Sequence, residues 1–373
     1  MKSVDIIGLG AQTVVARTAA AAFASVGAGI SRLTCHPIAV DRHGEMIAVA
    51  MASYLAEDLP VIDRMIELAL PALGQAFSSS GHRRVASDEL MIPLVLGLPS
   101  PRPGLQGSYD RAISMGLRHR LGEGSPVSSV QTILGGHTAG SMAIERAFEM
   151  IRDGLYPIVL AGGVDSYIDP DTLRWLDESG QLRADHNIDG FFPGEGAGFC
   201  LLASEDAGTV LDGVTRLGRL VAAATVGEEE EPRKLSEVPP VELIGETDGA
   251  APRAPASIDE AWERVLGALP SEAVVSLTIN DLNGQKQRSD WWSATFMAFH
   301  ERFASALSFL SPALFMGDVG AASGPIFAAM MTAGFSNMSP RPRWGFLTTS
   351  TMSGPRSATL VASPGAVTEP LES

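Results

Sequence analysis

The hydrophobic pattern of residues 131–163 predicts a turn, an amphipathic helix and a buried strand in direct succession. Gly135 and Gly136 permit backbone angles that other residues avoid, and they favour a tight turn. Apolar residues then recur at helical spacing and form one wide face: Ala139, Ala143, Ile144, Ala147, Phe148 and Ile151. The apolar run at 158–161 indicates a strand buried on both faces. His137 is therefore expected in a turn at a buried helix N-terminus, where an α/β enzyme places a nucleophile.

The same succession of strand, glycine turn, Ala-rich helix and strand returns later in the chain. Residues 320–330 repeat the pattern that follows His137. Apolar and β-branched runs predict further strands at 6–10, 90–97, 219–226, 274–279 and 358–362. Strands that alternate with helices are typical of an α/β fold. Because the composition changes after Leu202, we divide the chain into halves at 1–205 and 206–373.

Composition favours a globular protein and argues against a nucleic-acid-binding surface. Of the 373 residues, 45% are hydrophobic and 19% are charged, which is typical of a chain with a large core. The formal net charge is −16, whereas nucleic-acid-binding surfaces need clustered Lys and Arg. The acidic and proline-rich residues 227–257 are expected to form an exposed loop.

Metal, cofactor and membrane functions find no support in the sequence. Cys35 and Cys200 are interpreted as reduced, core-type thiols of an intracellular chain, and no Cys/His cluster has metal-ligand spacing. The Gly-x-Gly at 8–10 lacks the third glycine of a dinucleotide-binding loop. No apolar run is long enough to cross a membrane. We expect a cytoplasmic protein without metal, cofactor or membrane span.

Two blocks of the sequence resemble motifs of the β-ketoacyl synthases, or ketosynthases, a branch of the thiolase superfamily. Gly-His-Thr-Ala-Gly at 136–140 is similar to the family's nucleophile turn, Ala-Cys-(Ala/Ser)-(Thr/Ser)-Gly, with His137 at the cysteine position. Residues 184–198 resemble the family's block Phe-Asp-x-x-Arg-Asp-Gly-Phe-x-x-Gly-Glu-Gly-Ala-Gly, in which Glu195 is the glutamate. The resemblance implies a thiolase-like α/β fold of two similar halves in five layers, αβαβα.

The resemblance also assigns residues to the positions of the family's reactive groups. Condensation in the family needs a cysteine thiolate, and two histidines or a histidine and an asparagine that stabilise the thioester enolate. Here Leu282 and Gly317 lie at the two histidine positions, and Pro312 lies at the lysine position. The positions equivalent to the family's pocket are thus Glu195, Leu282, Asn283, Gly317 and Asp318. These exchanges imply a degenerate member that does not condense acyl chains.

Two functions stay open on the sequence. The first, which we favour, is a non-condensing ketosynthase-like pseudoenzyme of fatty acid or polyketide biosynthesis with a binding, partner-subunit or adaptor role. It would form a homodimer, or a heterodimer with a ketosynthase-like subunit, and could bind an acyl carrier protein or another protein client. His137 would then be a hydrogen-bonded interior or interface histidine. The second is a divergent acyltransferase or thioesterase, related to 3-oxoacyl-carrier-protein synthases, in which His137 attacks acyl thioesters.

Overall fold

The computed structural model describes residues 3–80, 91–209, 214–227, 256–352 and 354–366. Within these residues the strands are β1 Val4–Thr13, β2 Thr34–Val40, β3 Met46–Val49, β4 Ile92–Leu98, β5 Val127–Leu134, β6 Ile158–Ser166, β7 Glu195–Ser204, β8 Gly218–Val226, β9 Val275–Asn280, β10 Phe303–Leu310, β11 Trp344–Ser350 and β12 Arg356–Ala362. The helices are α1 Ala19–Gly27, α2 Val61–Ser79, α3 Tyr109–Leu121, α4 Ala139–Arg152, α5 Pro170–Glu178, α6 Ala256–Leu266, α7 Lys286–Phe299, α8 Ala313–Met316 and α9 Ser323–Asn337.

Ten strands are linked by hydrogen bonds in the order β10-β9-β11-β12-β8-β1-β7-β6-β4-β5, and they fall into two sets of five. In the first set β4 runs parallel to β5 and β6, while β7 is antiparallel to β6 and β1. In the second set β9 runs parallel to β10 and β11, while β12 is antiparallel to β11 and β8. Both sets therefore have the same strand order and the same directions, in agreement with the two similar halves that the resemblance implies. They meet where Val4–Ile6 pair with Gly218–Leu220.

Helices cover the outer faces of the two sets and fill the space between them. Leu94 and Leu96 of β4 pack in one core with α2, whereas Val95 between them packs in another core with α4 and α9. On the second set, α6 packs against β8 and β12 from the outer side. α4 contacts β6 and β8, and α9 contacts β7 and β11, so each of these helices touches both sets. The five expected layers, αβαβα, are therefore confirmed.

The two central helices approach each other through glycine residues at their N-terminal ends. A Cβ atom on Gly140 of α4 would lie 2.3 Å from Pro325 Cδ and 2.4 Å from Ala321 O. A Cβ atom on Gly324 of α9 would lie 2.7 Å from Ser141 N. Only glycine permits this spacing, because real side chains do not come so close to backbone atoms. The turns that precede α4 and α9 are consequently held side by side.

The expectations about the boundaries of the halves and about the cysteines have different outcomes. The described residues leave out nearly all of the acidic segment 227–257, and the division at residue 205 stays a prediction. Cys200 is buried in β7 as expected, but Cys35 is exposed, so the prediction of a core thiol is wrong there. The reason is that β2 and β3 form a separate two-stranded sheet, where most residues of β2 face solvent.

Among the helices of the described residues, none combines the length and the hydropathy needed to cross a bilayer.

Candidate functional site

His137 lies in the single helical turn Gly136–Thr138 that joins β5 to α4, as the sequence predicts. Gly136 has a φ of +55°, a conformation that favours glycine. Gly135 has a φ of −172°, which is extended backbone, so only one of the two glycines is required by its backbone angle. A Cβ atom on Gly135 would lie 2.8 Å from Met142 Sδ, so a larger residue there would displace the flexible Met142 side chain. The turn thus fixes the imidazole at the junction of the two halves.

The imidazole of His137 forms a hydrogen bond with the carboxylate of Asp318, which comes from the second half of the chain. The Nε2–Oδ2 distance is 3.0 Å, and the side chains are 15% and 3% exposed. An ionised carboxylate can only accept hydrogen bonds, so Nε2 carries the hydrogen. None of the described residues forms a hydrogen bond with the other ring nitrogen, Nδ1, which in the neutral ring is an unprotonated acceptor.

Asp318 is held in place by several donors besides His137. Asn283 Nδ2 donates to Oδ2 at 2.7 Å, and Gly320 N donates to Oδ1 at 2.8 Å. Burial alone would raise the pKa of Asp318, but the charge and the hydrogen bond of His137 outweigh it, with help from the Arg288 cation and the Gly320 N–H. The pKa of Asp318 is therefore held well below its usual range, and the carboxylate stays ionised at neutral pH.

A second group of buried polar residues lies next to this pair. Tyr167 Oη is 3.4 Å from His137 Nε2, and the guanidinium of Arg102 stacks on the Tyr167 ring at 4.1 Å from its centroid. Arg102 forms an ion pair of 2.6 Å with Asp165. Burial, followed by the negative charges of Asp318 and Asp165, raises the pKa of Tyr167 well above its usual value. Tyr167 is consequently a neutral phenol at the edge of the site.

Arg102, Asp165 and Tyr167 were not predicted from the sequence, although a signal was available for two of them. Asp165 and Tyr167 directly follow the buried run and the glycine pair that end in the sequence at Gly163. Sites in α/β folds lie at the carboxyl ends of strands, so polar residues there are candidates. Arg102 lies in the proline-rich loop after β4 and had no comparable signal. Asp165 Oδ2 also accepts a hydrogen bond from Ala321 N, which ties the first half to the turn before α9.

The carboxylate of Glu195 forms hydrogen bonds with a different set of partners. Its carboxylate forms a two-point ion pair with Arg64, with distances of 2.6 and 3.0 Å, and both side chains are fully buried. Ala52 N and Ser166 Oγ also donate to it, at 2.6 and 2.8 Å. The carboxylate thus has four hydrogen bonds, and none of them involves His137. Glu195 therefore stabilises the structure next to the site and is not part of the His137 network.

The other residues expected in the pocket divide into two groups. Asn283 and Asp318 join His137 in one hydrogen-bonded network. Leu282 is half-buried and offers only an apolar side chain, and its backbone N donates to Asn280 Oδ1. Gly317 has a φ of +71° after α8, and a Cβ atom there would lie 2.8 Å from Ala50 Cβ. Gly317 therefore shapes the turn that carries Asp318, and its own side-chain position is closed.

The floor of the turn is built from hydroxyl groups. Thr138 Oγ1 and Thr351 Oγ1 both donate to Gly135 O, at 2.8 and 3.2 Å, and lie 3.3 Å from each other. These bonds use the hydroxyls to fix the turn. The residues that the structure describes contain no group of three or more His, Cys, Asp or Glu side chains that could hold a metal ion. The groups that form hydrogen bonds with His137 or with its partner Asp318 include the Asn283 amide and the Tyr167 phenol, and the Arg102–Asp165 ion pair lies beside them.

Comparisons with known proteins agree with the resemblance of the motifs. Residues 113–207 match the sequence model of the beta-ketoacyl synthase N-terminal domain. A comparison with curated protein sequences found no match.

Solved ketosynthases have a similar fold over almost the whole chain. One is in the structure described as "AntDE:AntF (apo): type II PKS acyl-carrier protein in complex with its ketosynthase bound to the hexaketide", with a TM-score of 0.74, 17% identity, and coverage of 97% of this chain and 99% of that chain. Another is the ishigamide ketosynthase/chain length factor, with a TM-score of 0.75, 14% identity, and coverage of 98% and 100%. A third is an oxazolomycin ketosynthase domain of Streptomyces albus JA3453, with a TM-score of 0.74, 16% identity, and coverage of 100% and 76%.

At these identities the likeness concerns the fold, and the family model adds the sequence evidence for the first half. The five-layer architecture, the duplicated strand order and the matched segment around His137 all point to the same relatives. The chain thus has the thiolase-like fold of the solved ketosynthases, and its residues 113–207 match the beta-ketoacyl synthase N-terminal domain.

Proposed function

We propose that this protein is a non-condensing ketosynthase-like protein that acts as a partner subunit or adaptor in fatty acid or polyketide biosynthesis. The observation that carries the proposal is the contact of His137 Nε2 with the ionised carboxylate of Asp318, at 3.0 Å. This contact opposes condensation in two ways, through the group that would hold the acyl chain and through the charge that develops during the reaction.

Covalent holding of an acyl group is the first requirement of condensation that His137 does not meet. A condensing enzyme keeps the acyl chain on a cysteine thiolate as a thioester until the second substrate arrives. His137 stands in the matching turn, and an acyl-imidazole is labile in water. Its Nε2 is also directed to Asp318, so this nitrogen is not available to attack a thioester. The site therefore lacks a group suited to storing an acyl chain between two substrates.

Stabilisation of the enolate formed by decarboxylation is the second requirement of condensation. Enolate stabilisation needs positively polarised donors aimed at the developing negative charge, and one such donor is worth about 3–4 kcal/mol. Here the buried group beside His137 is the Asp318 carboxylate, which is negatively charged. Leu282 and Gly317, at the positions that resemble the family's histidines, have no side-chain donor. A carboxylate repels an enolate, so the site opposes the charge that condensation creates.

A partner role agrees with the kind of structures that share this fold. They include a ketosynthase/chain length factor and a ketosynthase in complex with an acyl carrier protein. β5, which leads into the His137 turn, lies at one end of the strand order. A strand at the end of a sheet has backbone groups ready to pair with another chain. We therefore propose a homodimer, or a heterodimer with a ketosynthase-like subunit, that forms along β5, and an acyl carrier protein or another protein as the client.

One observation favours the second candidate, an acyltransferase or thioesterase that acts through His137. Asp318 orients the ring through Nε2 and leaves Nδ1 without a hydrogen bond from the described residues. A carboxylate-oriented imidazole with one unprotonated nitrogen can serve as a general base or as a nucleophile. This candidate predicts multiple turnovers of an acyl thioester that require His137.

The decisive experiment exposes the purified full chain to acyl thioesters and follows both the protein mass and the release of thiol. The partner role predicts no acyl adduct and no thiol release above the level of the His137→Ala variant. The His137→Cys variant is the matched control, because it restores a thiol at the same position. An adduct on the introduced thiol of that variant would establish that thioesters reach the turn. Turnover by the native chain that disappears in His137→Ala would overturn the proposal and establish the enzyme.

The partner role has its own positive test. The chain is produced together with an active ketosynthase subunit and an acyl carrier protein from the same host, and complexes are measured by light scattering. We expect a stable dimer of defined composition. A chain that remains monomeric at micromolar concentration with every ketosynthase subunit of its host would contradict the partner role.

A further inference from the structure

A small, partly open space lies between α6, α7 and strands β11 and β12, and His137 is not among the residues that line it. Its walls include two arginines, Arg288 and Arg356, together with Trp291, Trp292 and Thr348. The volume of this cavity is about 20 Å³. A space of this size holds one or two water-sized groups and excludes an acyl chain or a nucleotide.

Several buried hydrogen-bonding atoms on these walls have no partner among the described residues. They are Nε and Nη2 of Arg288, Nε of Arg356, Nε1 of Trp292 and Oγ1 of Thr348. The four nitrogen atoms are donors that cannot accept a hydrogen bond, whereas the threonine hydroxyl can do both. The two arginines are 2% and 4% exposed, so bulk water does not solvate these atoms. Buried donors without a partner are rare in folded proteins, and several on one cavity indicate that an acceptor belongs there.

The charges around the space are also unbalanced. Arg288 Nη1 donates to Asp281 Oδ2 at 2.5 Å, and that oxygen also accepts from the N and Oγ of Ser350. Arg356 instead donates to neutral backbone carbonyls, including Met352 O at 2.8 Å. Burial, and then the nearby Arg288 cation, lowers the pKa of Arg356 to about 10. Within the described residues the space is therefore flanked by two guanidinium groups and one carboxylate.

We propose that this space binds one small monovalent inorganic anion of about the size of chloride, held by Arg288, Arg356 and Trp292. The anion accepts hydrogen bonds from the buried N–H groups and neutralises the positive charge of the second guanidinium. The small volume decides between anions, because a phosphate ester or an organic acid does not fit. Asp281, which shares Arg288 with the anion, lies two residues before Asn283. The bound anion therefore stiffens the loop that supplies Asn283 to Asp318.

The first test compares the thermal unfolding of the full chain in sodium bromide and in sodium gluconate, at the same ionic strength and pH. Bromide has the required charge and size, whereas gluconate is too large for the space. Since a ligand that binds the folded state raises the Tm, we expect the Tm to increase with bromide concentration and to follow a saturable curve. A crystal soaked in bromide should give an anomalous peak between Arg288 and Arg356. Equal Tm values in both salts, or no peak in the space, would overturn the proposal.

Variants separate specific binding from a general salt effect. Trp292→Phe removes one neutral donor and retains an aromatic ring, so the apparent Kd for bromide should rise about fivefold. Arg356→Gln removes a guanidinium and should abolish the difference between bromide and gluconate. Arg174→Gln, which removes an exposed cation on α5, should leave the bromide response unchanged. If Arg356→Gln does not fold, Trp292→Phe decides, and a native bromide affinity in that variant contradicts the proposal.

Discussion

His137 and Asp318 are separated by 181 positions in the sequence, and their side chains meet at 3.0 Å between Nε2 and Oδ2. The contact crosses the junction of the two halves of the duplicated fold. It depends on the close approach of α4 and α9, because His137 precedes one helix and Asp318 precedes the other. The pairing of an imidazole with a buried carboxylate is the feature from which the proposed loss of condensation follows.

Asp318→Asn should lower the free energy of unfolding by about 2 kcal/mol at neutral pH, since hydrogen bonds to a charged group are worth about 1.5–3 kcal/mol. The folded-state pKa of Asp318 is depressed, so its stabilising contribution is present above the unfolded pKa of about 3.9 and is lost as the pH falls through the folded value. The difference between native chain and variant should therefore shrink below about pH 4. Urea unfolding at several pH values measures it.

Asp171→Asn is the control for that series, because its exposed pair with Arg174 should contribute less than about 1 kcal/mol. If Asp318→Asn and Asp171→Asn have the same small effect at every pH, the buried carboxylate does not stabilise the junction.

Glu195→Ala should be among the most destabilising single changes, at about 3–5 kcal/mol, because it leaves the Arg64 guanidinium buried without a carboxylate. Replacement of both residues by Met removes both charges and should recover part of that loss. Glu149→Ala, which removes an exposed pair with Arg146, should change stability by less than about 1 kcal/mol. Chemical denaturation of the four proteins gives the comparison. A double variant that is less stable than Glu195→Ala would contradict the view that the unpaired charge causes the loss.

Gly140→Ala should destabilise the protein by several kcal/mol, because the new methyl group would collide with Ala321 O and Pro325 at the contact between α4 and α9. The matched control is Gly74→Ala on α2, where the new Cβ meets nothing within 4 Å. That change should be neutral or stabilise by about 0.5–1 kcal/mol, since alanine has the better helix propensity. The Tm of each variant decides the matter, and equal shifts in the two would exclude close helix packing at Gly140.

The two cysteines should react with thiol reagents at very different rates. Burial raises the pKa of the Cys200 thiol to about 12, and Cys35 is exposed. The thiolate is the reactive form, so at pH 8 the native chain should take up one iodoacetamide group, at Cys35, while unfolded chain should take up two. Intact mass spectrometry counts the adducts. Modification of the native Cys35→Ser variant at the rate of the exposed thiol would contradict the buried position of Cys200.

The sequence alone predicted the helices and strands because these depend on local pattern, whereas the five-layer arrangement was what the resemblance to the ketosynthase motifs implied. The apolar periodicity of α4, the buried run of β6 and the glycine of the His137 turn are all properties of neighbouring residues. The resemblance of the blocks at 136–140 and 184–198 then identified the fold family, and it assigned six residues to one site: His137, Glu195, Leu282, Asn283, Gly317 and Asp318. These elements repeat in the second half, where the strand order is the same.

Only the tertiary structure decided which of the candidate residues interact. Hydrogen bonds between distant segments depend on the packing of helices and strands, and no local pattern encodes their partners. Thus Glu195 pairs with Arg64 rather than with the His137 network, and Arg102, Asp165 and Tyr167 join the site from a loop and a strand end. Cys35 is exposed because its hairpin lies outside the main sheet. The sequence therefore determined the scaffold, while the chemistry of the site was decided by which side chains the two halves bring together.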